Sequence, residues 1–498
     1  MQVGDAIACS EGDRYGKEFV PMKALRTFHQ RILNLFIINP STGSPLAYLD
    51  GIRAIAVIFV VVVHTWWFSI SPRFPSIAVP ATSRVIDLTA IVAYMQVGVD
   101  LFFVLSGFLL AQHWLRADFQ GKPRPDTARY FRQRFFRVAP AYYVCLFLTL
   151  LFFTPKFIAP SAIYSRVGAF SLGVHLLFLH FLFPISSGSF GLLGQFWTLT
   201  IEALFYLMLP WVIMLFLRNR WMKTLPVVVL LTVGWLYLCR NALGPVVHFY
   251  QTTLGPSNQR DVTAFLRSPN ATAPSEAAVR YFLSKQFPGH LIHFALGITL
   301  ANLYIRYQLG HAMSRPLRFI TGHWAGKCYF IAGWIIVIYF MDKVSWFASQ
   351  YGYSYEKQVT EPGDWVPYYL SEIPFAVGFT LVIAGLLFGG PWLQRAFSIT
   401  PLRLIGILGY SIYLWHIPLL YLFSSFPSFA HLTPRQQFVQ LLAMTSLGLV
   451  LICSAIYLAV EKPFILRGRT PVRRRLPPVE TPVALPPVAQ EAVGAAHD

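Results

Sequence analysis

Charged residues are scarce in this chain. Asp, Glu, Lys and Arg make up 12% of its 498 residues, whereas apolar residues make up 55% and the mean hydropathy is +0.53. Soluble domains carry roughly 25% charged residues, so the composition excludes an ordinary soluble domain. Acidic residues are fewer than basic residues: the chain has 21 Asp and Glu but 40 Lys and Arg, and its net charge is +19. The basic residues occupy short segments between hydrophobic runs, which argues against nucleic acid as a partner.

Cysteine is scarce as well. None of the five cysteines belongs to a C-x-x-C pair, and they are Cys9, Cys145, Cys239, Cys328 and Cys453. This spacing gives no support to a disulfide framework or a cysteine-ligated metal. We therefore expect no metal site.

Long hydrophobic runs are abundant and predict an all-α polytopic membrane protein embedded in the lipid bilayer. A further run at 170–183 has only 14 residues and suits a re-entrant or interfacial segment. We expect about ten transmembrane helices, near 52–70, 91–113, 139–158, 196–217, 225–243, 289–307, 326–341, 367–390, 404–426 and 438–460.

Loop charge orients these spans. With ten crossings and a non-crossing 170–183, the basic segments all fall in the cytoplasm, including 114–138 and the arginine-rich end, as the positive-inside rule requires. Both termini are then cytoplasmic. Three regions follow: an N-terminal tail (1–45), a transmembrane domain (46–466), and a basic, then Pro/Ala-rich tail (467–498) that we expect to be disordered.

Arg53 and His64 lie eleven residues apart in one apolar run. Eleven residues make about three helical turns, so both side chains share one face, about 16 Å apart along the axis. Ionisable side chains inside a membrane face a protein interior or a wet cavity. The pair predicts a site that holds an anionic ligand at Arg53 and performs chemistry near His64.

Other polar residues interrupt the spans. Asp100, followed by Ser106, either pairs with an arginine and so orients the site, or forms a structural ion pair that holds two helices together. Arg134 and Arg137 share a helical face and either bind phosphates or are ordinary positive-inside residues. Glu202 is a candidate acid–base group, or a group that orients a histidine; the alternative is an interhelical hydrogen bond.

Histidines in the spans have two interpretations. Tyr413 and His416 are three residues apart, on one face of a predicted helix, and are supporting candidates for the site. A membrane histidine is more often a residue whose hydrogen bonds are satisfied structurally. We apply that second interpretation to His175, His180, His290 and His293.

Six segments in order resemble the acyltransferase-3 family of bacterial integral-membrane O-acyltransferases. The resemblance runs from about Tyr48 to Phe464, with Ile52-Arg53-Ala54 where Leu-Arg-Gly is commoner. The segments are YLDGIRAIAVIFVVVVH, GVDLFFVLSGFLL, RYFRQRFFRVAPAYY, FWTLTIEALFYLMLP, LGYSIYLWHIPLL and EKPF.

The resemblance implies transfer of an acyl group, usually acetyl, from cytoplasmic acyl-CoA to a hydroxyl of a carbohydrate or glycolipid such as lipopolysaccharide or another polysaccharide. Acyl-CoA is then a co-substrate, and no cofactor is permanently bound. The family's arginine and histidine of the first span correspond to Arg53 and His64, its arginine pair to Arg134 and Arg137, and its glutamate to Glu202. Some members carry an SGNH hydrolase-like domain, for which the residues after Phe464 are too few.

The sequence leaves alternatives open for both the mechanism and the function. His64 acts either as general base on the acceptor hydroxyl or as acceptor of the acyl group itself, with Glu202 or Asp100 orienting it. A transporter or flippase would also place charges in its bundle, and the same architecture is thought to serve succinyl transfer to glucans. We expect the bacterial cytoplasmic (inner) membrane as location; no pattern indicates an oligomeric state.

Overall fold

The computed structural model describes residues 33–37, 46–78, 85–153, 156, 166–183, 186, 192–253, 276–310, 321–350, 370–429 and 431–470. The C-terminal segment 471–498, which we expected to be disordered, lies outside these residues, as does most of the N-terminal tail. The described part consists of helices and one antiparallel pair of short strands, β1 (Ser76–Ala78) and β2 (Val85–Asp87).

The structure describes the following α-helices. In chain order they are α1 (Tyr48–Phe68), α2 (Leu88–Ala93), α3 (Gly98–Phe119), α4 (Thr127–Leu148), α5 (Arg166–Leu176), α6 (Trp197–Val212), α7 (Trp221–Asn241), α8 (Gly244–Thr253), α9 (Glu276–Ser284), α10 (Leu291–Gln308), α11 (His323–Gln350), α12 (Glu372–Phe388), α13 (Pro391–Ala396), α14 (Thr400–Ile407), α15 (Gly409–Ser424), α16 (Pro434–Ile456) and α17 (Lys462–Arg469).

Seven helical segments within the described residues are long and apolar enough to cross a bilayer, and an eighth crossing is possible if α14 and α15, bent by 72°, form one broken span. The prediction of an all-α polytopic membrane protein is confirmed. Each of the ten predicted spans overlaps a helix, but α12 has 17 residues and rises only about 26 Å. The count of ten and the cytoplasmic termini stay predictions.

Side chains on the outside of the bundle match a lipid environment. Leu230 on α7, Ile335 on α11 and Leu451 on α16 are each more than half exposed. In water such faces would be unfavourable, whereas hydrocarbon tails solvate them. The short helix α5 has 11 residues, too few to cross, which agrees with the predicted non-crossing segment at 170–183.

Two glycines let α3 and α10 pack closely in the middle of the bundle. A Cβ on Gly297 would lie 2.1 Å from the Val104 carbonyl oxygen, and one on Gly107 would lie 2.4 Å from that of Phe294. Small residues at a crossing allow membrane helices to approach backbone to backbone. The contact fixes α3, which carries Asp100 and Ser106, against α10, which carries His293.

Candidate active site

A cavity of about 910 Å³, part of it open to solvent, lies between α1, α3, α4, α6, α14 and α15. One side of its lining is apolar and is provided largely by α3, including Phe102 and Phe103. The ionisable and hydroxyl side chains that line it are Arg53, Ser106, Arg134, Arg137, Thr198, Glu202, Tyr206, Tyr410 and Tyr413. Six of the nine predicted site residues therefore line one cavity.

Three arginines line one part of this cavity. Arg53 donates to Asp50 over 3.1 Å, and the second oxygen of Asp50 lies 3.9 Å from Arg403. Helix α14 comes this close to α1 because position 406 is glycine: a Cβ there would lie 1.8 Å from the Asp50 carbonyl oxygen. The packing of α14 on α1 thus sets the position of Asp50 and, through it, of Arg53.

Arg134 and Arg137 lie one turn apart on α4, and both face the cavity. Neither forms a hydrogen bond or salt bridge with any residue that the structure describes, and Nε of Arg134 is buried. Both side chains are half-buried, and the nearest acidic groups, Glu202 for Arg134 and Asp50 and Glu461 for Arg137, interact with them without a direct salt bridge. This part of the cavity is therefore cationic.

Glu202 lies on α6 opposite the arginines. Its Oε1 accepts a hydrogen bond from Ser106 on α3 over 3.1 Å and another from Tyr206, one turn along α6. The carboxylate thereby joins two hydroxyl groups that line the cavity. The interhelical hydrogen bond to a serine, one of the alternatives that the sequence left open, is present, and it lies inside the cavity.

Tyr413 connects the cavity to the two histidines. Its hydroxyl donates to the Gln195 carbonyl over 2.6 Å and lies 2.6 Å from Thr198 Oγ1. Its ring contacts that of His416, with 5.6 Å between centroids, and the His416 ring contacts that of His64 at 4.8 Å. His64 does not itself line the cavity: it is reached from Arg53 through Tyr413 and His416.

The hydrogen bonds of the two imidazoles assign their tautomers. Nδ1 of His64 lies 2.7 Å from the Val60 carbonyl, and Nδ1 of His416 lies 2.7 Å from that of Tyr413. Because a carbonyl oxygen only accepts, each Nδ1 carries the hydrogen and each Nε2 carries a lone pair. Nε2 of His416 is buried and forms no hydrogen bond with a described residue. Both nitrogens are in the state that a base or nucleophile requires.

Neither candidate carboxylate orients His64 in this structure. Among the described residues, the hydrogen-bond partners of Glu202 are Ser106 and Tyr206, and Asp100 lies on the far side of the α3 lining, 3.2 Å from Nε2 of His293. The expected ion pair between Asp100 and an arginine is likewise absent from the described part. Asp100 points away from the cavity because it is on the face of α3 that packs against α10.

His290 and His293 depart from the structural interpretation that we gave them. None of their four ring nitrogens forms a hydrogen bond with a described residue, whereas His175 donates to the Ser171 carbonyl over 2.7 Å as expected. Both approach Asp100 and Glu372 instead, in a buried cluster. No local pattern in the sequence linked these histidines to Asp100 or Glu372.

The fold and the cavity define an integral-membrane protein with a cationic cavity, and one lining residue, Tyr413, contacts a pair of histidines behind it. A family model described as an acyltransferase domain matches residues 46–460. The chain belongs to this family, acyltransferase-3, as the six segments indicated. No solved structure matches it.

Curated proteins with similar sequences carry O-acetyltransferase names. The chain is 25% identical over 380 residues to the peptidoglycan O-acetyltransferase OatA of Listeria monocytogenes, a match that covers 75% of this chain and 49% of that protein. It is also 25% identical over 395 residues to the O-acetyltransferase OatA of Staphylococcus aureus, covering 76% of this chain and 51% of the relative. The chain thus spans about half the length of the curated relatives it matches.

Proposed function

We propose that this chain is a membrane O-acyltransferase that moves an acyl group, in the first instance acetyl, from cytoplasmic acyl-CoA to a hydroxyl of a cell-surface or lipid-linked carbohydrate. The names of the relatives support O-acetyl transfer, and the name of the Listeria relative supports a glycan acceptor. The observation that carries the proposal is a cavity lined by three arginines and by Tyr413, whose ring contacts His416, which in turn contacts His64.

The arginines select the donor. CoA carries several phosphate charges, and guanidinium groups bind phosphate in a bidentate geometry. Arg134 and Arg137 form no salt bridge with a described residue, so their guanidinium groups are available to a phosphate. Loop charge predicts that this end of the bundle faces the cytoplasm, where acyl-CoA is made. The extended pantetheine arm would then run along the α3 lining toward Tyr413.

The histidines supply the chemistry. Nε2 of His64 takes the proton of the acceptor hydroxyl as that oxygen attacks the thioester carbonyl, the C–S bond breaks, and CoA leaves as the thiol after protonation. In the second route, Nε2 attacks the thioester carbonyl, the C–S bond breaks and CoA leaves as the thiol after protonation; the acyl-imidazole then passes the acyl group to the hydroxyl and His64 is regenerated. His416, in ring contact with His64 and Tyr413, places a second buried imidazole beside the reacting one.

Glu202 acts inside the cavity rather than on His64 in this proposal. Through Ser106 and Tyr206 it sets the direction of two hydroxyl groups that face the bound donor. A carboxyl group held between two hydroxyls can hold or release a proton next to the departing thiol. Ser106 and Tyr413 are positioning groups along the same path.

The test uses the full chain purified in detergent and acetyl-CoA labelled in the acetyl group. We expect release of free CoA with transfer of label to a glycan or to water, and a higher Tm with CoA because a ligand that binds the native state stabilises it. Mass spectrometry of surface glycans from cells with and without the chain would identify the acceptor, and the added mass would distinguish acetyl from succinyl. Absence of CoA release together with an unchanged Tm would favour a transporter or flippase.

A further inference from the structure

A second cluster of ionisable groups lies behind the cavity wall. Asp100 in the first turn of α3, Glu372 in the first turn of α12, and His290 and His293 at the start of α10 all converge there. Each of the four is buried, and their candidate ligand atoms lie within 4.8 Å of one another. The Phe103 ring, which lines the cavity, contacts both imidazoles on its other side.

The distances within the cluster are short but the hydrogen bonds are missing. His293 Nε2 lies 3.2 Å from Asp100 Oδ1 and 3.7 Å from Glu372 Oε2, and His290 Nδ1 lies 3.4 Å from Glu372 Oε2. Yet neither imidazole, nor Glu372 Oε2, forms a hydrogen bond with a described residue. A protonated imidazole buried beside two carboxylates would donate aligned hydrogen bonds to them, because unpaired buried groups are costly. The short but misaligned contacts leave room for another partner of these atoms.

We propose that Asp100, His290, His293 and Glu372 bind one zinc ion. Zinc–nitrogen and zinc–oxygen bonds of roughly 2.0–2.2 Å in a tetrahedron place neighbouring ligand atoms about 3.3 Å apart. The three measured separations, 3.2, 3.4 and 3.7 Å, bracket that edge length. The remaining pairs lie within 4.8 Å and would close by up to about 1.5 Å when the ion binds.

The donor set and the charges favour zinc among the divalent cations. Two imidazoles with two carboxylates suit zinc, whereas magnesium and calcium select oxygen ligands. Lys285 binds Glu372 through Oε1, which leaves Oε2 directed at the cluster. Two carboxylates and one ammonium sum to a single negative charge, so a dication is balanced to within one unit. The first-turn positions of Asp100 and Glu372 further stabilise their negative charge through the helix dipoles.

Four protein ligands leave no open position, which is typical of a structural zinc site. The ion would join the N-terminal ends of α3, α10 and α12, three helices that are otherwise held by apolar packing. It would also fix Phe103, and with it one wall of the cavity. The proposal is independent of acyl transfer, since it concerns residues on the other face of α3. It departs from the expectation of no metal, which rested on cysteine spacing alone.

The experiment measures metal in the full chain, purified in detergent through an affinity tag without histidine and without chelators. Inductively coupled plasma mass spectrometry should find about one zinc per chain. His293→Ala should lower that content roughly tenfold or more. His293→Cys should retain zinc because a thiolate is also a zinc ligand, and His175→Ala, which removes a buried histidine elsewhere, should retain it as well.

Thermal unfolding gives a second readout. Removing metal with a chelator should lower the Tm of the wild-type chain, and ZnCl2 but not MgCl2 should restore it. If His293→Ala does not fold, the wild-type zinc content and its chelator response decide the question alone. A wild-type chain with less than about a tenth of an equivalent of zinc, and a Tm that does not respond to ZnCl2, would overturn the proposal. Equal zinc content in wild type and folded His293→Ala would overturn it too.

Discussion

Removing the Arg134 guanidinium should weaken acyl-CoA binding without unfolding the chain. Arg134 faces the cavity and has neither a hydrogen bond nor a salt bridge to a described residue, so its loss breaks no internal contact of that kind. A hydrogen bond to a charged group contributes about 1.5–3 kcal/mol, and about 1.4 kcal/mol corresponds to a factor of ten in affinity. Arg134→Ala should therefore raise the Kd for CoA roughly ten- to a hundredfold, and Arg137→Ala by a similar factor.

The assay is titration of CoA against the purified chain, followed by Tm or calorimetry, with acetyl-CoA turnover measured in parallel. The effect should appear in KM more than in kcat, because the phosphates are remote from the thioester and contribute equally to the ground and transition states. With dephospho-CoA, which lacks one phosphate, the ratio of the variant's Kd to the wild-type Kd should be smaller than with CoA.

Arg132→Ala is the matched control. Arg132 is on the same helix and also positive, but it donates to the Arg467 carbonyl over 2.6 Å and does not line the cavity. Its removal should leave the Kd for CoA within about twofold. If Arg134→Ala and Arg137→Ala both bind CoA as wild type does, the phosphate-binding site has been assigned to the wrong residues.

Three further substitutions separate chemistry from packing. Glu202→Gln keeps the shape and an acceptor oxygen but removes the acid–base group, so kcat should fall roughly a hundredfold with little change in KM; an unchanged kcat would leave Glu202 a structural role only. Tyr413→Phe deletes a buried hydroxyl bonded to Gln195 and should lower stability by about 1–3 kcal/mol, seen as a lower Tm, and an unchanged Tm would contradict that role. Gly297→Leu should strongly reduce the folded yield because its Cβ meets the α3 backbone, whereas Gly234→Leu, with no atom within 4 Å of its Cβ, should not; equal yields would refute the account of the α3–α10 contact.

Helical spacing and loop charge predicted the cationic side of the cavity. Arg53 lies in the first turns of α1, and Arg134 and Arg137 lie one turn apart on α4, so short-range geometry was enough to place each on one face of its helix. Polar residues in apolar runs were expected to face the interior, and Ser106, Glu202 and Tyr413 do so for that reason.

Contacts between distant parts of the chain were not predictable in the same way. His64 and His416 meet because α1 and α15 pack together, and nothing in either segment encodes that pairing. The same holds for Asp100, His290 and Glu372, each of which is an isolated polar residue at the start of its own apolar helix. Their common position follows from three helices beginning at the same end of the bundle, which is a property of the assembled fold.

The count of ten crossings stays a prediction, because several of the described helices are too short or too bent to decide it. Hydropathy predicted a span at 367–390, whereas α12 begins at Glu372. Hydropathy averaged along the sequence does not show that the carboxylate of Glu372, at the start of α12, can be buried because it pairs with Lys285. The broken pair α14–α15 is a similar case, since its bend brings Gly406 against Asp50 while the apolar run reads as continuous.

The proposed reaction requires that an acyl group, taken from CoA bound at the arginines, reaches the imidazole of His64. The most direct measurement compares acetyl transfer by purified wild-type, His64→Ala and His175→Ala chains, each shown to be folded by its Tm and elution profile. We expect that His64→Ala still binds CoA but transfers no acetyl group, while His175→Ala transfers at close to the wild-type rate. Acetyl transfer by His64→Ala at the wild-type rate would contradict the proposed reaction.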